Sequence, residues 1–387
     1  MAVAERADTP AAPDGRLPSG FDGPRACGPY ELAPDLDLLN LVFRTQAAAG
    51  PPRAPSMGWD YSHVYNQQNL ENVRVVCHGS RPVASVGIYP TRVQTPLGMI
   101  GVGGINAVGT HPEYRRLGLA TLTMQDAAAR MREIGMHVGL LSTGITNWYR
   151  KLGWERAGRQ RTFTFDRRNV TSLPEPADLE DLEVTDDWQP HLDELCALRN
   201  ASGVGAVRTP EVFALLAARK ASHVFVARRA GSAAAYVTAS GASLREYAGA
   251  AEDVLALVRH AFGVLEELPA RSTERRGPQQ GQFELTVQTP AGSGGLAAPL
   301  LDYGIPSALT YMGMLLILDP PRLFEALRIE ATAEQGADGA WRLSHGGASL
   351  RVTDGELVKL VFGPERQPDF APDLFPIDFY QWPTDRV

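Results

Sequence analysis

The chain lacks most of the features that would place it in a class at once. Its three cysteines, Cys27, Cys77 and Cys196, stand far apart and form no CxxC pair. Neither a disulfide scaffold nor a cysteine zinc site is indicated. The eight histidines show no paired ligand spacing, so no metal is expected. No aliphatic run, Met314 to Leu318 included, is long enough to cross a bilayer. Residues 1–29 are rich in Ala, Pro, Gly and Asp and lack the apolar core of a signal peptide. They read as a flexible N-terminal segment, and the protein as cytoplasmic with no membrane partner. A formal net charge of −7 argues against a nucleic-acid partner.

What remains is an ordinary globular composition, 44% hydrophobic and 21% charged, spread over 387 residues. That length exceeds one core and predicts two or three domains. Leu32, Leu36, Leu39, Val42 and Phe43 step by three and four, which predicts a helix from near Pro34. The stretch from Gly50 to Pro55 ends it. Met57 to Tyr65 is crowded with rings, as a surface loop with anchoring aromatics or as a wall of an acceptor pocket. Val73 to Cys77 with Pro82 to Tyr89, and Arg92 to Thr95 with Met99 to Thr110, predict two hairpins. Glycines at 98, 101, 103, 104 and 109 point to a bulge or a close ligand approach. Gly118 to Ile134 predicts a helix, His137 to Leu141 a buried strand, and Thr162 to Phe165 the strand closing the first sheet.

A second unit follows the linker Pro174-Glu175-Pro176. Helices are expected over Trp188 to Ser202 and Thr209 to Ala217. A hairpin over Val224 to Ser240 and a helix over Ala250 to Phe262 complete it. From Leu309 the pattern changes again: a strand over Met312 to Asp319, a helix from Pro320, then short strands including Glu356 to Phe362. The tail from Pro364 to Val387 holds five prolines yet also Phe375, Phe379, Tyr380 and Trp382. A disordered tail is poor in aromatics, so this one is expected to fold down onto something.

The chemistry concentrates in Val108-Gly109-Thr110-His111-Pro112-Glu113-Tyr114-Arg115-Arg116-Leu117-Gly118-Leu119-Ala120. A strand runs through a Pro and two arginines into a Gly that opens a helix. This leaves free backbone N–H groups and cations at a helix N-terminus, which suits a pyrophosphate. Two arginines alone would be an ordinary solvated face; the strand before and the helix after give them a task. Neither a Walker loop nor a dinucleotide Gly-x-Gly-x-x-Gly is present.

Val108-x-x-x-Pro112-x-x-Arg115-Arg116-x-Gly118-Leu119-Ala120 resembles the acetyl-CoA motif of the GNAT superfamily of N-acetyltransferases. The order of units and the Trp148 to Trp154 segment are similar to the enhanced-intracellular-survival (Eis) acetyltransferases. The resemblance implies an α/β (α+β) architecture in three units: a mixed-sheet catalytic GNAT domain (30–170), a degenerate GNAT-like domain (177–300) and a sterol-carrier-like domain with the tail (308–387). It implies acetyl-CoA as co-substrate, with Val108, Gly109 and Thr110 bonding the pantetheine arm. Arg115, Arg116 and the amides of Leu117, Gly118, Leu119, Ala120 and Thr121 would hold the pyrophosphate. Tyr149 takes the place of the family's acid in a Tyr–x–x–aromatic–Gly–aromatic setting whose middle aromatic is Leu152 here. The base implied is the carboxylate of Val387, with Asp385, Asp378 and His111 as rivals.

The physical case for Tyr149 stands beside the resemblance. An amine attacking a thioester expels a thiolate that needs a proton, and a phenol still carries one at neutral pH; the plain alternative is a packing ring. The expected activity is N-acetylation of a primary amine on a small molecule, aminoglycoside-like or another natural product, or on an exposed lysine. A non-catalytic acyl-CoA or lipid-binding protein and an N-acyltransferase with another acyl-CoA are the alternatives. The resemblance also implies a homo-oligomer, a ring-like hexamer.

Overall fold

The computed structural model describes residues 17–44, 56–268, 283–292, 295–365 and 369–387. The helix stop expected at residues 50–55 and the flexible stretch expected over 1–16 lie outside them. The first part of the chain forms β1 (Phe21–Ala26), α1 (Leu32–Phe43), α2 (Met57–Asp60), β2 (Val73–His78), β3 (Arg81–Thr95) and β4 (Gly98–Thr110). It continues with α3 (Leu119–Glu133), β5 (Val138–Leu141), α4 (Thr146–Arg150) and β6 (Glu155–Phe165). The middle part forms β7 (Glu183–Thr185), α5 (Leu192–Ala201), β8 (Gly205–Ala206), α6 (Pro210–Lys220), β9 (His223–Arg229), β10 (Ser232–Ser240), β11 (Ser243–Gly249), α7 (Ala251–Glu267) and β12 (Leu285–Pro290). The last part forms α8 (Ala297–Asp302), β13 (Ser307–Ile317), α9 (Pro320–Ala326), β14 (Thr332–Gln335), β15 (Trp341–His345), β16 (Ala348–Val352) and α10 (Asp354–Phe362).

This is a mixed α/β protein, and one sheet runs through it. Its order is β1-β2-β3-β4-β5-β13-β6-β12-β11-β10-β9-β7, with β8 added to β3; β14, β15 and β16 form a separate small sheet. β13, from the last part of the chain, enters the first part's sheet. It pairs antiparallel with β5 from Met314↔Leu141 to Ile317↔Val138 and with β6 from Ser307↔Phe163 to Leu315↔Glu155. The sheet therefore crosses both expected divisions, near 170–177 and 300–308, without a break. Its inner faces carry a continuous apolar core from Val93 and Val102 through Phe163 and Val287 to Phe362 and Trp382. Burial on that scale is the main stabilising term for such a sheet.

Four local expectations change. Residues 17–29 are not free of structure: β1 pairs with β2 from Phe21↔His78 to Ala26↔Arg74. Arg92 to Thr95 is the far end of one 15-residue strand, β3, which pairs with β4 from Ala84↔Thr110 to Thr95↔Gly98. Thr162 to Phe165 is the end of β6, and it continues the sheet to β12 and β13 rather than closing it. Glu356 to Phe362 is helix, not strand. Thr353 accepts from the Glu356 N–H while Glu356 accepts from the Thr353 N–H, a complete capping box. Leu357, Val358, Leu360 and Val361 then face inward.

Candidate active site

The site begins where two strands part. β4 pairs with β3 as far as Ala84↔Thr110, but with parallel β5 only from Val102↔Val138 to Gly104↔Leu140. From Ile105 to Thr110 that edge of β4 has no strand beside it among the described residues. The chain leaves β5 after Leu141 and turns into the loop before α4. An unpaired strand edge exposes a row of N–H and C=O groups. A bulge lies here too: the β3–β4 register shifts between Ser85 and Gly87, and Ala107 has φ of 50°. Asn106, buried at the bulge, accepts from the Tyr65 hydroxyl at 2.9 Å. The glycine-rich strand thus holds the bulge that its composition predicts.

β4 delivers the chain to the N-terminus of α3. Arg116 and Gly118 both take left-handed backbone, φ 68° and 73°, in the turn before α3. Left-handed backbone strains a non-glycine residue, and such strain persists where the surroundings over-determine it. Gly118 caps α3 with no side-chain hydrogen bond, and the first turn of α3 carries no acid. The N–H groups of Leu119, Ala120 and Thr121 therefore have no acceptor within the helix. Arg115, Arg116 and Leu117 are exposed beside them. Turn, amides and cations together fit a pyrophosphate.

Tyr149 sits on α4, buried in the core beneath α3 with Ile105, Ile88, Met131 and Trp154. Trp148 meets it edge-on at 4.7 Å. Burial pushes its phenol up to about 12, so the hydroxyl keeps its proton at neutral pH. Val387 lies on the opposite face of β4, packed with Tyr61, Tyr89 and Ala107 in the core beneath α1. A Cβ placed on Gly104 would come 2.7 Å from Val387 Cγ2. The tail therefore reaches the last rung of the β4–β5 ladder, and only a residue without a side chain leaves it room.

The three rivals to Val387 are engaged elsewhere. Asp385 is buried and accepts from Arg208 Nε at 2.7 Å. Asp378 pairs with Arg159. His111 Nδ1 accepts from the Glu113 N–H at 3.3 Å, which caps the turn after β4. The rings of the aromatic segment differ in burial. Trp59 is exposed, whereas His63 and Tyr65 are buried. His63 meets Tyr89 edge-on at 4.7 Å, and neither ring nitrogen has a hydrogen-bond partner among the described residues. Burial, then the charge of Lys220, pushes its pKa down to about 3, which keeps the ring neutral.

Sequence reasoning named none of the residues that the second part contributes. Lys220 Nζ donates to the Arg386 carbonyl at 2.6 Å, and Arg219 lies over the Trp59 ring. Arg208 binds Glu246 through Nη1 at 2.9 Å and Nη2 at 2.5 Å, as well as Asp385 and Thr384, all of them buried. The signal available was the rarity of lysine in an arginine-rich chain.

Residues 31–157 match the family of acetyltransferase (GNAT) domains. That segment is a GNAT acetyltransferase domain, and the protein is an acyltransferase. Over the whole chain the fold is Eis-like: Eis1 from Mycobacterium abscessus aligns over 95% of this chain and 100% of its own, at 15% identity and a TM-score of 0.61. A probable N-acyltransferase from Enterococcus faecalis V583 aligns over 86% and 84%, at 13% identity and a TM-score of 0.58. A GCN5-related N-acetyltransferase from Anabaena variabilis aligns over 86% and 85%, at 16% identity and a TM-score of 0.56. No curated protein matches. GNAT domains use acetyl-CoA, and the open edge of β4 with the turn before α3 suits its two halves. No helix among the described residues is long and apolar enough to cross a membrane.

Proposed function

We propose that the protein transfers the acetyl group of acetyl-CoA to a primary amine, on a small molecule or an exposed lysine, by direct transfer in a ternary complex. The observation that carries this reading is the fork at Gly104, with Tyr149 packed on one face and Val387 on the other. Val108, Gly109 and Thr110 hold the pantetheine arm along the open edge. Arg115, Arg116 and the amides from Leu117 to Thr121 hold the pyrophosphate. Bound there, acetyl-CoA supplies a thioester at the fork. The Val387 carboxylate takes a proton from the amine as its nitrogen bonds to the thioester carbon. Tyr149 gives its proton to the sulfur as the carbon–sulfur bond breaks. Solvent then returns a proton to Tyr149 and removes one from Val387. In this reading residues 30–170 bind the donor and supply Tyr149, 308–387 supply Val387, and 177–300 hold the tail. Assembly into a ring-like hexamer belongs to the same proposal and is read by analytical ultracentrifugation.

The rim around the fork narrows the acceptor. It offers rings from Trp59, Tyr61 and Tyr89 and a cation from Arg219. Two acids nearby are held by arginines, Asp60 by Arg44 at 2.7 Å and Asp385 by Arg208. A single amine with an aromatic or acidic remainder suits this rim better than a polycationic aminoglycoside. The pyrophosphate turn reads only the CoA moiety, so another acyl-CoA donor is the second reading.

A panel of amines incubated with several acyl-CoAs and read by mass spectrometry tests both. Gain of an acetyl mass on an aromatic or acidic amine is expected. Preference for a longer acyl group favours the second reading, and no mass gain on any amine despite CoA binding sinks both. A short peptide appended after Val387 is expected to reduce turnover by about a hundredfold, the contribution of a general base. Unchanged turnover removes Val387 from the mechanism.

A further inference from the structure

Among 37 lysine and arginine residues only Lys151, Lys220 and Lys359 are lysine. Lys220 is the last residue of α6, in the second part of the chain, yet its ammonium binds the tail of the last part beside a ring of the first. Its Nζ donates to the carbonyl of Arg386 at 2.6 Å, the peptide group that joins Arg386 to Val387. The same atom lies 5.6 Å from the centre of the Tyr61 ring, on the rim of the fork.

The other anchors of the tail act earlier in it or on side chains. Gln381 N–H donates to Met312 Sδ, Trp382 Nε1 to the Val204 carbonyl, and Arg208 holds Thr384 and Asp385. The Arg386 guanidinium reaches Gln160 Oε1 at 2.6 Å and the Met312 carbonyl at 3.2 Å. Among the described residues, Lys220 is the one whose side chain grips the final peptide group.

We propose that Lys220 is the positioning residue that holds the Arg386–Val387 end of the tail at the fork, so that the second part of the chain completes the acetyl-transfer site of the first. This rests on the proposed role of Val387. A lysine suits the task where arginine is the chain's habit. A compact ammonium with rotatable donors binds one carbonyl beneath a ring, whereas a guanidinium fork favours two acceptors in a plane.

The groups facing Lys220 are Asp385, Arg208, Arg245 and Arg386, with His63 and Tyr61 from the first part. Burial pulls the ammonium down to about 8; Asp385 opposes that shift, and Arg208 and Arg245 add to it. The latch is therefore charged below about pH 8 and loses its charge above it.

The test compares the full chain, Lys220→Met, Lys220→Arg and a chain extended by Gly-Ser-Gly after Val387. Two quantities are read: release of the terminal valine by carboxypeptidase Y, and acetyl transfer across pH. Lys220→Met is expected to release valine several-fold faster. It should lose about a hundredfold in kcat, as expected of a group misplaced by about 1 Å. Its acetyl-CoA affinity should stay as it was, so that the loss falls on kcat and not on donor binding. Lys220→Arg should recover part of both. Lys220→Gln serves as a milder variant should the apolar side chain prevent folding. Wild-type valine release overturns the proposal. So does faster release with full kcat, which would make Lys220 a strut without a role in positioning. An extended chain with undiminished kcat sinks the terminal base instead, and the valine release of Lys220→Met still decides whether the latch exists.

Discussion

The protein contains the same fork twice, and the two copies have gone opposite ways. In the first, β4 and β5 part after Gly104. In the second, β11 and β12 are parallel only at Ser243↔Thr286 and Leu244↔Val287, after which β11 runs on to Gly249 beside β10. The second fork is closed from within. Tyr247, on the part of β11 beyond the ladder, shares a hydrogen bond of 2.5 Å with Thr289 on β12 and accepts from the Leu296 N–H at 2.9 Å. Trp382 of the tail packs edge-on against it at 4.7 Å. The helix entries differ in the same sense. α3 follows a turn with two arginines and has no acid in its first turn, whereas α7 follows Ala250 at once and opens with Glu252 and Asp253. Asp253 is buried and bound by Arg229 at 2.6 Å. Acids there complement the helix dipole, typically by about 0.3–1 kcal/mol each, and fill the place an anion would take. One fork keeps its polar edge and positive helix end open; the other satisfies both internally and serves as the wall on which the tail rests.

The sharpest way to break that contrast is to remove the cations from the open copy. Arg115→Ala/Arg116→Ala should weaken acetyl-CoA binding by about a thousandfold, the worth of two charge-assisted contacts. Both side chains are exposed, so the thermal melt should stay put. Calorimetric titration reads the affinity, and a near-normal value would mean that the turn before α3 is only a surface feature. Next comes Tyr149→Phe, which keeps the ring and removes the proton. A loss in kcat of about a hundredfold or more is expected, with KM for acetyl-CoA within about twofold. Because burial raises this phenol to about 12, its donor form persists as pH rises until that value is approached. Wild-type activity should accordingly show no alkaline loss from this group below about pH 11. A kcat unchanged by the substitution would reduce Tyr149 to a packing ring.

The open fork was legible in the sequence because its parts are neighbours. Val108 to Ala120 carries strand end, cations, glycine and helix start within one local stretch, and Tyr149 follows one helix and one strand later. The closed fork was not. Tyr247, Thr289 and Trp382 meet across more than a hundred residues of chain, and neither periodicity nor spacing encodes that meeting. The same holds for β13, which reads correctly as a strand but whose place between β5 and β6 depends on pairings with partners far back in the chain. Lys220 and Arg208 act on residues 386, 385 and 384, again beyond local reach. α10 is a different case. Its capping box, Thr353 with Glu356, stood in the sequence, but the apolar run that follows is short enough to pass for a buried strand. The segment from Met57 to Tyr65 showed its rings but not which of them turn inward.

The contrast can also be sharpened from the closed side. Tyr247→Phe removes the hydroxyl that bridges β11 to β12 and leaves Thr289 Oγ1 and the Leu296 N–H to find other partners in a buried place. Groups stranded that way cost about 1–3 kcal/mol, so the thermal melt should fall by a few degrees. Acetyl-CoA affinity should not move, because the bridge belongs to the wall and not to the donor site. A modest drop in kcat with intact affinity would still fit, since Trp382 leans on this ring and carries the tail toward Gly104. Weaker acetyl-CoA binding by this variant would count against the division of labour, for it would mean that the second fork takes part in holding the donor.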